Sequence, residues 1–125
     1  MPQMSLAAPN KRTARAMVEV MPVMATEIDV AKMRGAADQA SHFMKILANK
    51  DRLMLFCQIN DGEKCVNNLQ DVTGILQPTL SQQLSVLRKA GLVKTRRAGK
   101  EIHYSTDNLI AESIIGILYS HYCQN

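Results

Sequence analysis

Gln77-Pro78-Thr79-Leu80-Ser81-Gln82-Gln83-Leu84-Ser85-Val86-Leu87-Arg88-Lys89-Ala90-Gly91-Leu92-Val93 reads as one short helix and its stop. Pro78 suits the first helical position, where its missing N–H costs nothing, and Gly91 suits the residue just past the end. Between them Leu80, Leu84 and Leu87 recur at i, i+4 and i+7, the spacing of one buried stripe. Pro78, Gln82, Ser85 and Lys89 look outward, with Thr79 and Ser81 beside them, and no acid occurs between Gln77 and Lys100. A helix shaped only for solubility would mix Glu with its Lys. Amides and hydroxyls backed by basic residues suit a surface that meets phosphates and base edges, where Gln can pair with adenine.

The flanks extend this pattern. Val93-Lys94-Thr95-Arg96-Arg97 and Glu101-Ile102-His103-Tyr104-Ser105 are two β-prone runs joined by Ala98-Gly99-Lys100, which predicts a hairpin wing. Upstream, Asn67 to Leu76 predicts a short helix, with Asn67 as its cap and a tight turn at Gly74. Helix, turn, helix and hairpin together make a winged helix-turn-helix, mainly α with a small β-hairpin wing. From Gln77 to His103 there are six Lys or Arg (Arg88, Lys89, Lys94, Arg96, Arg97, Lys100) against one acid, Glu101. That segment therefore carries more positive charge than the net +4 of the whole chain. The residues expected at bases or flanking phosphates are Gln77, Thr79, Ser81, Gln82 and Gln83. Arg96, Arg97 and Lys100 are expected to hold the backbone of double-stranded operator DNA.

The rest of the chain fits one domain. Of 125 residues, 46% are hydrophobic, but two Phe, three Tyr and no Trp leave the core to Leu, Ile, Val and Met. Small helical proteins built this way often complete their core by dimerising. No apolar run approaches the roughly eighteen residues that span a bilayer, so a soluble, cytoplasmic protein without a membrane partner is expected. Met1 to Ala25 holds five of the eight Met and three of the four Pro, with no sustained helical period. Residues 1–26 are therefore read as a disordered tail and residues 27–125 as the DNA-binding and dimerisation domain. Glu19 interrupts the only stretch resembling a signal core, and Met24 is a candidate alternative start.

Within the domain, Ile28 to Leu47 has the period of an amphipathic helix, and Asn49 with Asp51 offers a stop and a new cap. Arg52 to Asn60 predicts a second helix, with Leu53, Phe56, Cys57 and Ile59 near its buried side. Lys64-Cys65-Val66 reads as an extended link. Asn108 or Asp107 can cap a last helix bearing Leu109, Ile110, Ile114, Ile117, Leu118 and Tyr122, an apolar face wider than one small domain needs. There is no P-loop or dinucleotide glycine motif, and His42, His103 and His121 fall on separate elements. The sequence argues against an enzyme and calls for no cofactor.

The run from Gln77 to Val93, followed by Thr95-Arg96-Arg97 and a Gly99-Lys100 wing, resembles the ArsR/SmtB family of bacterial winged-helix repressors. Within it, the chain is similar to the sulfide- and redox-responsive BigR/SqrR/HlyU branch. The resemblance covers about Asp29 to Asn125. It implies a homodimer, joined through the first and last helices, that represses until an inducer weakens DNA binding. Cys57 and Cys123 match the two cysteines shared by that branch, in which persulfides convert a dithiol into a bridge of extra sulfur atoms. An odd count of three cysteines argues against a static disulfide framework. The resemblance thus implies a Cys57/Cys123 dithiol sensor for a persulfide-type inducer.

Two rivals stay open within the family: peroxide making a plain disulfide, and metal or arsenite sensing. The family's third-helix metal motif survives here only as Cys65-Val66-Asn67-Asn68-Leu69, with one thiol left, and Asp107-Asn108-Leu109 lacks the His of the last-helix motif. Zinc wants about four N or S ligands, so no metal site is expected. Arsenite could still use Cys57, Cys65 and Cys123 if they converged. A thiol oxidoreductase would need a closely spaced pair such as Cys-x-x-Cys, which is absent.

Overall fold

The structure, a computed structural model, describes residues 28–124. The expected tail over residues 1–26, with Met24, lies outside the described residues. The chain forms α1 (Val30–Leu47), α2 (Lys50–Asp61), β1 (Lys64–Cys65), α3 (Val66–Thr73), α4 (Thr79–Lys89), β2 (Lys94–Ala98), β3 (Glu101–Ser105) and α5 (Leu109–Tyr122). Three helices start on side-chain caps: Asp29, Asn49 and Asn108 each accept from the backbone N–H three residues on, at 3.2, 3.1 and 3.0 Å.

Leu80, Leu84 and Leu87 of α4 are fully buried, packed with Leu55, Phe56 and Ile59 of α2, Leu69 of α3, and Ala111 and Ile115 of α5. Each buried leucine contributes about 2 kcal/mol. The helix ends where expected: the N–H of Gly91 (φ +77°) reaches the carbonyl of Arg88, and that of Leu92 reaches the carbonyl of Leu87, both at 3.0 Å. This double closure with a left-handed glycine satisfies carbonyls that the last turn leaves open. The wing then stays tied to that stop. Thr106 Oγ1 donates to the Leu92 carbonyl at 2.7 Å, and Lys94 Nζ lies 3.1 Å from Asp107 Oδ2.

Four local expectations need correction. Pro78 precedes α4 as its cap residue instead of opening it, and the Gln77 side chain supplies the acceptor, taking the Ser81 N–H at 3.1 Å. Asn67 does not cap α3; Cys65 holds that position and makes no side-chain capping bond, because the helix starts two residues earlier than a cap at Asn67 requires. Lys64-Cys65 is more than a link. It pairs antiparallel with β3, opposite Tyr104 and His103, giving a three-stranded sheet in the order β1-β3-β2. The second helix runs from Lys50 and buries Leu55, which the periodicity does not single out, while Leu53 is only partly buried. The hairpin itself turns on two residues, with Gly99 at φ +63°.

α1 stands apart from this core. Only Leu47 is buried, with Phe43 and Ile46 packed partly against the cluster, while Met33 and Met44 face solvent. Among the described residues no helix is long and apolar enough to cross a membrane.

Candidate DNA interface and thiol site

The face of α4 opposite its leucines presents Ser81 and Gln82 to solvent, with Thr79 and Ser85 half-buried beside them. Gln77 is exposed but already caps α4. Gln83 differs from its neighbours, since its Oε1 accepts from Arg52 Nη1 at 2.8 Å, on the flank that faces α2.

The wing adds Arg96, Arg97 and Lys100, all exposed. Lys100 sits at the hairpin tip, and Arg97 Nε reaches the Gly99 carbonyl at 3.4 Å. Arg96 is engaged by Glu63, the residue before β1: Nε lies 3.1 and 2.9 Å from the two carboxylate oxygens, and Nη2 lies 2.6 Å from Oε1. The hydrogen bonds from Arg96 hold the Glu63 carboxyl below its usual range, and the same bonds raise Arg96. Glu63 is invisible to the sequence pattern because its partner lies across the sheet. The carboxylate occupies the Nε/Nη2 edge of Arg96, so a phosphate could be gripped along that edge only by displacing it. Glu63→Gln is therefore expected to raise affinity for random-sequence DNA several-fold and to steepen the salt slope by about one. Fluorescence anisotropy across a salt series measures both, and an unchanged slope would show that Arg96 does not meet DNA.

The three thiols fall into two places. Cys57, on α2, is 7% exposed. Cys123 is exposed at the C-terminal end of α5, its N–H bonded to the Tyr119 carbonyl at 2.8 Å. Both line one cavity of about 340 Å³, with Leu53, Met54, Ile115, Leu118, Tyr119 and Tyr122 around them. Burial pushes the Cys57 thiol up to about 12, and the nearby Cys123 charge adds to the rise. Cys57 is thus held as a neutral thiol, whereas Cys123 meets solvent.

Cys65 is buried elsewhere. Its Sγ donates to Asn68 Oδ1 at 3.0 Å, and it does not line the cavity, so a three-thiol arrangement is not assembled here. His103 lies 3.6 Å from Glu101 in the wing, and His121 stacks edge-on against Tyr122.

A family model described as "Bacterial regulatory protein, arsR family" matches residues 49–95. The biofilm growth-associated repressor of Agrobacterium fabrum is 43% identical over 97 residues, spanning 78% of this chain and 83% of that protein. The crystal structure of the transcriptional repressor BigR from Xylella fastidiosa superposes with a TM-score of 0.71 at 40% identity, over 77% of this chain and 98% of that one. Reduced HlyU from Vibrio cholerae superposes at 0.72 with 32% identity, over 76% and 100%.

Proposed function

The chain belongs to the arsR family of bacterial regulatory proteins and is a transcriptional repressor, and on that premise we propose that it is a homodimer controlled by sulfur. In this reading it binds operator DNA when reduced, and lets go when a persulfide-type donor bridges Cys57 to Cys123. The observation that carries the sensing half is the cavity the two thiols share, with one thiol buried and neutral and the other exposed.

The order of reaction follows from that asymmetry. Cys123, as thiolate, attacks the outer sulfur of a hydropersulfide RSSH, and the RS group departs as thiolate. A second addition lengthens the chain on Cys123 to three sulfurs, its own Sγ included, ending in SH. Cys57 then attacks the middle sulfur, the terminal S–S bond breaks, and hydrogen sulfide leaves with the Cys57 proton. The product is a trisulfide bridge. A plain disulfide needs Cα atoms within about 7 Å, whereas inserted sulfur spans a wider gap.

Two apolar faces support the dimer. α1 presents Met33 and Met44, and α5 presents Ile110, Ile117 and Leu118, all without a partner in the core. Bridging α2 to α5 alters the dimer helices relative to α4, and the bridged state must disfavour the DNA-competent arrangement for release to follow.

On DNA, Thr79, Ser81 and Gln82 read base edges, Gln77 anchors the helix start, and Arg97, Lys100 and a freed Arg96 hold phosphates. Gln82→Ala is expected to relax preference at one base pair by about 1–3 kcal/mol. Lys100→Ala is expected to weaken all sequences alike and to flatten the salt slope by about one. Binding to a panel of single-base operator variants separates the two; equal effects on every sequence would count against the assignment.

The sensing half is tested by intact mass and peptide mapping of reduced protein after a persulfide donor, peroxide or arsenite. Added sulfur linking the Cys57 and Cys123 peptides supports the reading. A peroxide-made disulfide with no persulfide bridge would make the chain an oxidant sensor, and arsenite adducts alone would make it a metalloid sensor.

A further inference from the structure

We propose that Arg52 is a positioning residue for DNA reading, and that Gln83 is the acceptor through which it sets α4 rather than a residue that touches DNA. The guanidinium of Arg52 meets two helices besides its own. Its Nε donates to the Ile46 carbonyl at 2.7 Å and its Nη2 to the Lys45 carbonyl at 3.3 Å, both in the last turn of α1. Its Nη1 donates to Gln83 Oε1 at 2.8 Å on α4, and its own backbone belongs to α2.

Each contact answers a physical need. The final carbonyls of a helix lack the usual i+4 donor: Arg52 supplies one to Ile46 and joins the Ala48 N–H on Lys45, and a fixed positive charge there is favoured by the helix dipole. Arg offers donors only, so it dictates the orientation of the Gln83 amide: the oxygen faces Arg52 and cannot take part in two-point pairing with adenine. Gln83 is half-buried on the α2 side of α4, whereas Ser81 and Gln82 are open to solvent. The planar fork fixes the rotation of α4 against α1 and α2 in a way a single lysine ammonium could not.

Arg52 also shares a helix with the sensing thiol. Two residues on, Met54 lines both the thiol cavity and a second cleft bounded by Thr73, Gly74, Gln77 and Thr79, at the approach to α4. α2 therefore meets the region of the reading helix at two points on the path from Cys57. The inference rests on the reading of α4 as the DNA-contacting helix.

The test compares Gln83→Glu and Gln83→Met in the full, reduced chain, on a duplex that the wild type selects from a random-sequence library. Glu keeps an acceptor for Arg52 but would repel phosphates; Met keeps the size and removes the acceptor. If Gln83 is the acceptor for Arg52, Gln83→Glu stays within about threefold of wild type and Gln83→Met weakens binding about tenfold or more. Arg52→Lys should cost less in the Gln83→Met background than in the wild type, because the bond to α4 is already gone and only the contacts to α1 remain to be lost.

A Gln83→Glu variant that binds worst of all would overturn the proposal in favour of direct DNA contact, and a Gln83→Met variant equal to wild type would overturn it outright. Thermal melts accompany each variant. Should Gln83→Met fail to fold, Gln83→Glu against wild type still decides. A wild type that selects no duplex would defeat the reading of α4 itself and this inference with it, a result distinct from a wrong order among the variants.

Discussion

Cys123→Ser is expected to bind operator within about twofold of the wild type when reduced, and to lose its response to a persulfide donor entirely. The side chain is exposed at the end of α5 and lies outside the core cluster, so its replacement leaves packing unchanged. What disappears is the first nucleophile. Cys57 does not replace it as the first attacker on a donor from solution: it is buried, and burial pushes its thiol up to about 12, so it reacts only once sulfur is tethered beside it on Cys123. Iodoacetamide should accordingly label Cys123 of the wild type first and Cys57 slowly, and the slow rate should keep climbing as pH rises toward 11. Cys57→Ser should show the converse chemistry, gaining sulfur on Cys123 without a bridge and without release of DNA. Faster labelling at Cys57 than at Cys123 would reverse the proposed order of attack.

Ile117→Glu is expected to turn the protein into a monomer and to lower operator affinity on the order of a hundredfold, because two linked half-site contacts become one. Ile117 is 49% exposed on α5, with Leu118 beside it and Ile110 two turns earlier. A charge there faces solvent in the single chain but would lie buried and unpaired in a dimer joined through α1 and α5. Light scattering reads the mass, and far-UV circular dichroism shows that the fold is kept. A variant that remained dimeric would place the interface elsewhere.

The α4 region was legible because its signals are local. Three leucines at helical spacing, Gly91 just beyond the helix and Gly99 in the hairpin each act within a few residues of themselves. The features missed are those settled across the fold. Periodicity places Gln83 near the edge of a stripe but cannot say that Arg52, thirty-one positions away, takes its oxygen. Nor can charge counting tell that Arg96 is held by Glu63 rather than left open to DNA. Cys65 misled for a related reason: a two-residue strand is too short to show alternation, and its identity as a strand comes from β3. For the thiols, sixty-six positions of sequence separate Cys57 from Cys123, and only packing of α5 near α2 brings them to one cavity.

The tie between the end of α4 and the end of the wing bears on where control must act. With Thr106 bonded to the Leu92 carbonyl and Lys94 paired with Asp107 across the hairpin root, the helix and hairpin are joined at one end like the jaws of a caliper. On the proposed DNA reading, such a caliper would measure one span along the duplex. In the proposed dimer, an inducer that leaves these bonds intact would therefore change the distance or tilt between two such calipers, one per protomer, so that each jaw stays sound while the pair falls out of step with the turn of the double helix.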